Sequence, residues 1–399
     1  MKCIPPTIIT PLMLASSTVA EPVAPATAWV TGTTYATGTV VSVAGSVCLE
    51  FVRLAALTYA AWVSGTTYII GDIRNSVSNG FPYKRITAGG GTTDPATDAT
   101  NWTALSAMSP ELNTDQWQDN GPYERVWVSG TSYAVGDQCI RTNNHRQYTR
   151  LVAGTGTTVP ELDPTNWKDS GASRKWAMFD LSSSQQTVTT GPLTVVINLS
   201  GRIDSLGITG MLCNGVNVLL QVGATTFYNS TINTLLRNTQ SWSQYLFGAF
   251  RYRPAVVMFD IPPVAGATLT LTFTGSTVKC GRVFIGRHVD MGPAELDAEN
   301  DVLNFSLTTR DNFGTATLVP RPTVPKQNMA LAPTSSLVDR LRDLRSDTNA
   351  KVALWCGLDD QLTSDWFNAF LCPGIWKIFS IKAKARKNAA VTLQLEEIS

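Results

Sequence analysis

Histidine is almost absent from this chain: there are 2 in 399 residues, His145 and His288, and they lie in different segments. A histidine-based metal centre or a Ser-His-Asp relay needs further unusual residues beside them, and the sequence offers none. Charge is scarce too. Asp, Glu, Lys and Arg make up 15% of the residues, against about a quarter in ordinary soluble domains. The 31 basic and 30 acidic residues leave a net charge of +1, so there is no general electrostatic case for nucleic-acid binding. The one dense basic stretch is Lys382, Lys384, Arg386 and Lys387, whose first three members alternate with Ala in the segment 382–386. Alternation puts them on one face of a strand, a solvated or partner-facing face rather than a nucleic-acid patch. No Cys-x-x-Cys occurs. The seven cysteines (Cys3, Cys48, Cys139, Cys213, Cys280, Cys356 and Cys372) are odd in number and scattered. This argues against a disulfide framework and a zinc knuckle and favours reduced thiols in a protein assembled in a cytoplasm. No run approaches the roughly 20 apolar residues of a membrane helix, so membrane insertion is not expected. Nothing in the sequence calls for a cofactor or a metal.

What the chain does have is Thr, Ser, Gly and Val in abundance, a texture of short strands joined by turns. Its length is too great for one ordinary core, so several domains are expected. In the opening segment, Lys2, the apolar stretch Ile8 to Leu14 and the run Ala15 to Ala20 loosely imitate a secretion signal. Pro5, Pro6 and Pro11 interrupt it. We expect residues 1–27 to form an extended arm lying against a neighbouring chain, with a cleaved signal as the alternative.

Internal repetition is the most informative feature. One unit begins Trp62-Val63-Ser64-Gly65-Thr66-Thr67-Tyr68 and continues with Gly71-Asp72. A second begins Trp127-Val128-Ser129-Gly130-Thr131-Ser132-Tyr133, then Gly136-Asp137. An earlier copy reads Trp29-Val30-Thr31-Gly32-Thr33-Thr34-Tyr35, then Gly38. Tyr83-Lys84-Arg85 corresponds to Tyr148-Thr149-Arg150 and to Phe51-Val52-Arg53. The two full units close on Asn101-Trp102 and Asn166-Trp167, with 40 residues between opening and closing Trp in each. The first copy reads as truncated, because Trp62 follows Trp29 by only 33 residues. A module this small buries little apolar surface. Its few aromatics, Trp29, Tyr35, Trp62, Tyr68, Trp102, Trp127, Tyr133 and Trp167, are therefore expected to be its core.

With Pro95 and Pro160 ahead of the closing Trp, these units resemble family 5/12 carbohydrate-binding modules, small chitin- and cellulose-binding β domains, over about residues 28–170. Glycan-binding members often carry paired exposed aromatics after the second Tyr, where this chain has Ile86-Thr87 and Leu151-Val152. Sugar C–H groups need a flat ring face to pack on, so the usual platform is missing. An alternative platform would draw on Tyr83, Trp117, Tyr123 or Tyr148.

The texture changes after Trp167. Strand-like runs at 193–199, 216–220, 268–273 and 279–285 suggest an antiparallel, jelly-roll-like β-sandwich over 173–292. Asp180 and Asp204 are isolated and read as turn or cap residues. Within 293–399, Ser335 or Ser336 can cap a helix running to about Arg345, with Leu337, Val338, Leu341 and Leu344 as its apolar face. A strand over 351–356 and two strands pairing across Lys387-Asn388-Ala389 would complete a small α+β domain. The expected architecture is thus mainly β: the arm at 1–27, a truncated repeat at 28–60, a second repeat with linker at 61–120, a third at 121–172, the sandwich and the C-terminal domain.

The whole chain also resembles a group of tailed-phage virion proteins. The features that carry this are the opening from Ile4-Pro5-Pro6-Thr7-Ile8 to Glu21-Pro22, the Trp-Tyr modules, Lys175-Trp176-Ala177-Met178-Phe179-Asp180, Gly201-Arg202-Ile203-Asp204, Lys279-Cys280-Gly281 and Asp311-Asn312-Phe313-Gly314. The resemblance implies a particle-borne, non-enzymatic protein of the tail, tail tip, baseplate or an appendage. Its partners would be other virion proteins and further copies of itself. A carbohydrate-binding adsorption protein touching host-surface glycans is the alternative. A glycan hydrolase needs two carboxylates roughly 5–10 Å apart, and the adjacent Asp359-Asp360 would point to opposite sides of a strand.

Overall fold

Strands far outweigh helices in the computed structural model of the chain, so the fold is mainly β. The structure describes all residues except 23–26, 44–48, 55–57, 123–124, 182–184, 237–240, 249–250, 296–297, 311–312, 358–365 and 399. Cys48, Tyr123, Asp359 and Asp360 fall outside the described residues. The chain forms two compact units. One is Glu21–Ser170; the other joins Met1–Ala20 to Gly171–Ser399.

The second unit is layered. Its first sheet is antiparallel, in the order Leu14–Ser17, Leu193–Asn198, Thr268–Thr274, Gly215–Val222, Thr225–Asn233. Alternation along these strands turns Val195, Ile197, Val218, Leu220, Leu269 and Leu271 to one face, where they pack with Leu206, Ile208, Val256 and Val283 of the next sheet. That next sheet is Ala255–Met258, Ser205–Thr209, Arg282–Gly286, and every one of its residues is buried. A strand buried along its whole length is covered on both faces. Its second face, through Val257 and Phe284, meets Ile4, Leu354 and Cys356. These three belong to a seven-stranded sheet ordered Val289–Asp290, Lys2–Ile4, Ala353–Cys356, Leu371–Ala385, Asn388–Glu397, Thr323–Leu331, Glu299–Asn304. The far face of that sheet, with Trp355, Phe379 and Leu393, receives Leu341 and Leu344 of the helix Val338–Asp347. A 3-10 turn, Ser335–Leu337, leads into the helix, and no side chain caps it.

Two expectations are corrected here. The sandwich at 173–292 and the α+β region at 293–399 are not separate domains, because the middle sheet supplies one wall of each core. The opening residues are not an arm on another chain. Lys2–Ile4 pairs with Ala353–Cys356 and Val289–Asp290, and Leu14–Ser17 pairs with Leu193–Asn198. Of the apolar residues that imitate a signal, Met13 and Val19 are buried in the chain's own core, Ile9 and Leu14 pack against it, and Ile8 and Leu12 are exposed.

The unit Glu21–Ser170 contains the repeats. The second copy pairs Thr67–Tyr68 with Gly89–Gly90, beside a sheet of Ile73–Asn75, Pro82–Arg85 and Trp102–Ala104. The third repeats this with Ser132–Tyr133 and Gly154–Thr155, beside Gln138–Arg141, Arg146–Arg150 and Trp167–Ala172. The first copy is not truncated. Its sheet is Val40–Val43, Leu49–Arg53 and Trp117–Pro122, so its closing strand arrives only after the whole second copy has been built. The second module is inserted into the first, and the boundaries 28–60 and 61–120 give way to a split module, 28–53 with 105–122, around an inner one, 61–104.

Candidate functional site

Each module is organised by the same few contacts. The opening loop turns at a glycine in the left-handed region, Gly32, Gly65 or Gly130, with φ of 77–78°. The following Tyr then closes the loop. The backbone N–H of Val30, Val63 and Val128 donates to the hydroxyl of Tyr35, Tyr68 and Tyr133, at 2.8 Å in each case. In the Gly-Asp turns, Asp72 and Asp137 accept from the N–H of Ile69 and Ala134. The loop before each closing Trp is tied by Asn101 donating to Asp98 and Asn166 to Asp163. In the split copy, Asn113 donates to Gln116.

The Tyr and the closing Trp meet edge to face in all three copies. Tyr35–Trp117, Tyr68–Trp102 and Tyr133–Trp167 have ring centroids 5.4, 5.2 and 5.0 Å apart. An arginine covers each Trp. Arg53 lies over Trp117 at 5.5 Å, Arg85 over Trp102 at 5.0 Å and Arg150 over Trp167 at 4.9 Å. Arg85 and Arg150 are buried, and they donate to the carbonyls of Gly89 and Gly154. A guanidinium on an aromatic face loses less by desolvation than one facing aliphatic groups. Sequence reasoning gave these arginines no role. The signal was present: each stands two residues after Phe51, Tyr83 or Tyr148.

The eight expected core aromatics all join module cores. Trp62, Tyr68, Trp102, Tyr133 and Trp167 are buried, and Trp29, Tyr35 and Trp127 are half-buried. Of the four residues considered for a sugar platform, Trp117, Tyr148 and Tyr83 are packed into the modules, and Tyr123 lies outside the described residues. Trp117 is 5% exposed as the closing Trp of the first module, and Tyr148 is 4% exposed with its hydroxyl taking a bond from Asn144. Burial pushes the Tyr148 phenol above its ordinary pKa. Tyr83 is half-buried and its hydroxyl accepts from Asn79. These rings are inside because a module of this size has few other apolar groups, such as Val41, Leu105 and Ile140, to exclude water with.

A cleft of about 90 Å³ lies between the split module and the inner one, walled by Trp29, Tyr35, Trp117, Arg53 and Phe81 among others. Phe81 is 60% exposed. The Trp-Tyr-Arg set that is closed in the inner module is thus partly open in the split one.

Elsewhere several titratable groups have structural partners. Asp204 accepts from the backbone N–H of His288 at 2.8 Å and lies 3.0 Å from its Nδ1. Burial opposes its charge, but these bonds and one from Ser205 leave its carboxyl below the ordinary range. It ties the segment at His288 to the start of Ser205–Thr209 rather than capping a helix. His145 pairs with Glu21. Six cysteines are buried thiols, and burial pushes Cys139 up to about 12. Among the described residues, no three His, Cys, Asp or Glu side chains are grouped to hold a metal. No protein-family model matches the chain, and no curated protein matches it.

Proposed function

We propose that the chain is a structural component of a tailed-phage particle, in the tail, its tip or baseplate, or an appendage, and that it works through protein–protein contacts. The observation that carries this reading is the use of the modules' aromatics as cores. A module with its rings inside is a spacer or bridge rather than a sugar platform. The layered body supports the same reading, because a middle sheet buried on both faces makes a stiff scaffold. So does the resemblance to tailed-phage virion proteins along most of the sequence. The partners are then other virion proteins and further copies, and the location is the virion after assembly in the host cytoplasm.

Quantitative mass spectrometry of gradient-purified particles tests it. Peptides of this chain at a stoichiometry comparable to the other structural proteins support the reading. Their absence from particles, with the protein found only in the lysate, overturns it.

A second reading, adsorption to a host glycan, is favoured by the aromatic cleft beside Phe81. Binding of the full chain on a glycan array, lost in Phe81→Ala, is its expected signature.

A further inference from the structure

Most sheet edges in the layered unit are protected. Val289–Asp290 has two residues and Leu14–Ser17 has four. Glu299–Asn304 is longer but carries Glu299 and Asp301. Such brevity and charge are how proteins prevent edge-to-edge pairing. Thr225–Asn233 differs. It is a nine-residue edge strand, Thr-Thr-Phe-Tyr-Asn-Ser-Thr-Ile-Asn, with no charge and no proline. A bulge at Phe227, where the register steps from Thr226 to Tyr228, confines the straight run to Tyr228–Asn233. Among the described residues no strand pairs with its outer side.

We propose that this edge pairs antiparallel with the same edge of a second copy, joining two five-stranded sheets into one across a two-fold axis. The sequence of the strand selects the partner and the register. Exposure alternates: Asn229, Thr231 and Asn233 face solvent, while Tyr228 and Ile232 pack against the core. Residues directly opposite in an antiparallel pair share a face, so the two-fold must pass through a residue. Centred on Ser230, Tyr228 of each copy faces Ile232 of the other. The inner apolar row then continues unbroken with two aromatic–β-branched pairs. On the outer face Asn229 meets Thr231, and no charge meets a like charge anywhere.

A short edge alone buries too little surface for a stable dimer. The remainder lies at its two ends. Phe227, 46% exposed, is at one end. From the other, the ribbon of Leu235–Leu236 and Arg251–Tyr252 leads to the helix Trp242–Phe247, with Trp242, Leu246 and Phe247 at 81%, 65% and 84% exposure. Antiparallel pairing brings the Asn233 end of one copy, with the ribbon that follows it, beside the Phe227 end of the other. Isologous contacts of this kind close on themselves and give dimers rather than fibres.

The test is light scattering of the full chain in solution, with a charge swap. Asn229→Lys with Thr231→Lys sets lysine opposite lysine across the axis, and Asn229→Glu with Thr231→Glu sets glutamate opposite glutamate. Both positions are exposed, and circular dichroism checks that each variant is folded. The expected result is twice the chain mass for the unmodified protein, the single chain mass for each double variant, and twice the chain mass again when the two are mixed. Amide exchange at 228–233 should be slow in the dimer and fast in either variant alone. A monomeric unmodified chain, or a dimer that survives the double lysine variant, overturns the proposal. Particle mass spectrometry judges the virion reading separately.

Discussion

Tyr35 and Trp117 meet edge to face at 5.4 Å although an entire folded module lies between them in the chain. The first module therefore depends on a residue far downstream of what its sequence suggests. Trp117→Ala should cost about 3–5 kcal/mol, as for other buried aromatics, and it should loosen 28–53 while sparing 61–104. Limited proteolysis with peptide mapping checks this. Cleavage confined to the inner module would contradict the split assignment.

Arg150 lies over Trp167, and its buried Nε and Nη1 have no hydrogen-bond partner. Ring contact and packing, rather than an ion pair, should be its main contribution. Arg150→Lys should lose about 1–2 kcal/mol, since an ammonium cannot stack as a plane. Arg150→Met, which leaves no buried charge to solvate, should lose no more than that. Thermal melts of the two variants decide it, and a much larger loss in the Met variant would point to an essential charge.

Asp94 ties the hairpin turn of the inner module to the loop before its closing strand. Its carboxylate accepts from Ser76, Val77 and Ala96. Burial alone would raise it, but these bonds outweigh burial and hold it at about 2. The unfolded value is about 3.9. A depressed carboxyl gives stability that is fully present above the unfolded value and is lost as pH falls through the folded one. Melts of the full chain should thus lose inner-module stability from about pH 4 towards pH 2. Asp94→Asn should be less stable at neutral pH and flatter across that window.

Gly207 sits where the middle sheet faces Leu354, and a Cβ there would fall 2.0 Å from the leucine Cδ2. Leu354 is fully buried and cannot swing aside freely. Gly207→Ala should cost about 1–3 kcal/mol by overpacking. Gly207→Ala with Leu354→Ala should recover part of this, a coupling that a double-mutant cycle measures.

The repeats were legible because they recur: the Trp-Val-x-Gly-Thr-x-Tyr opening forms the same Tyr-closed loop three times. The insertion was harder to read, because a closing strand can come from anywhere in the chain. A clue existed in Pro110-Glu111-Leu112, which stands before Trp117 as Pro160-Glu161-Leu162 stands before Trp167. The sandwich strands were visible by alternation, and so was the helix face of Leu341 and Leu344. The union of sandwich and C-terminal region was not. The run Ala255-Val256-Val257-Met258 announces burial on both faces but does not name what covers each. Likewise, periodicity cannot reveal that Lys2–Ile4 is a sheet strand, because three residues are too few to have a period.

The nesting of one module inside another also decides how the chain carries load. Tension applied at residues 28 and 122 falls first on the seam between Leu49–Arg53 and Trp117–Pro122. Until that seam opens, the two ends of the inner module are held together by the outer one and feel no pull. Rupture is then sequential, outer before inner, and each event releases its own length of slack.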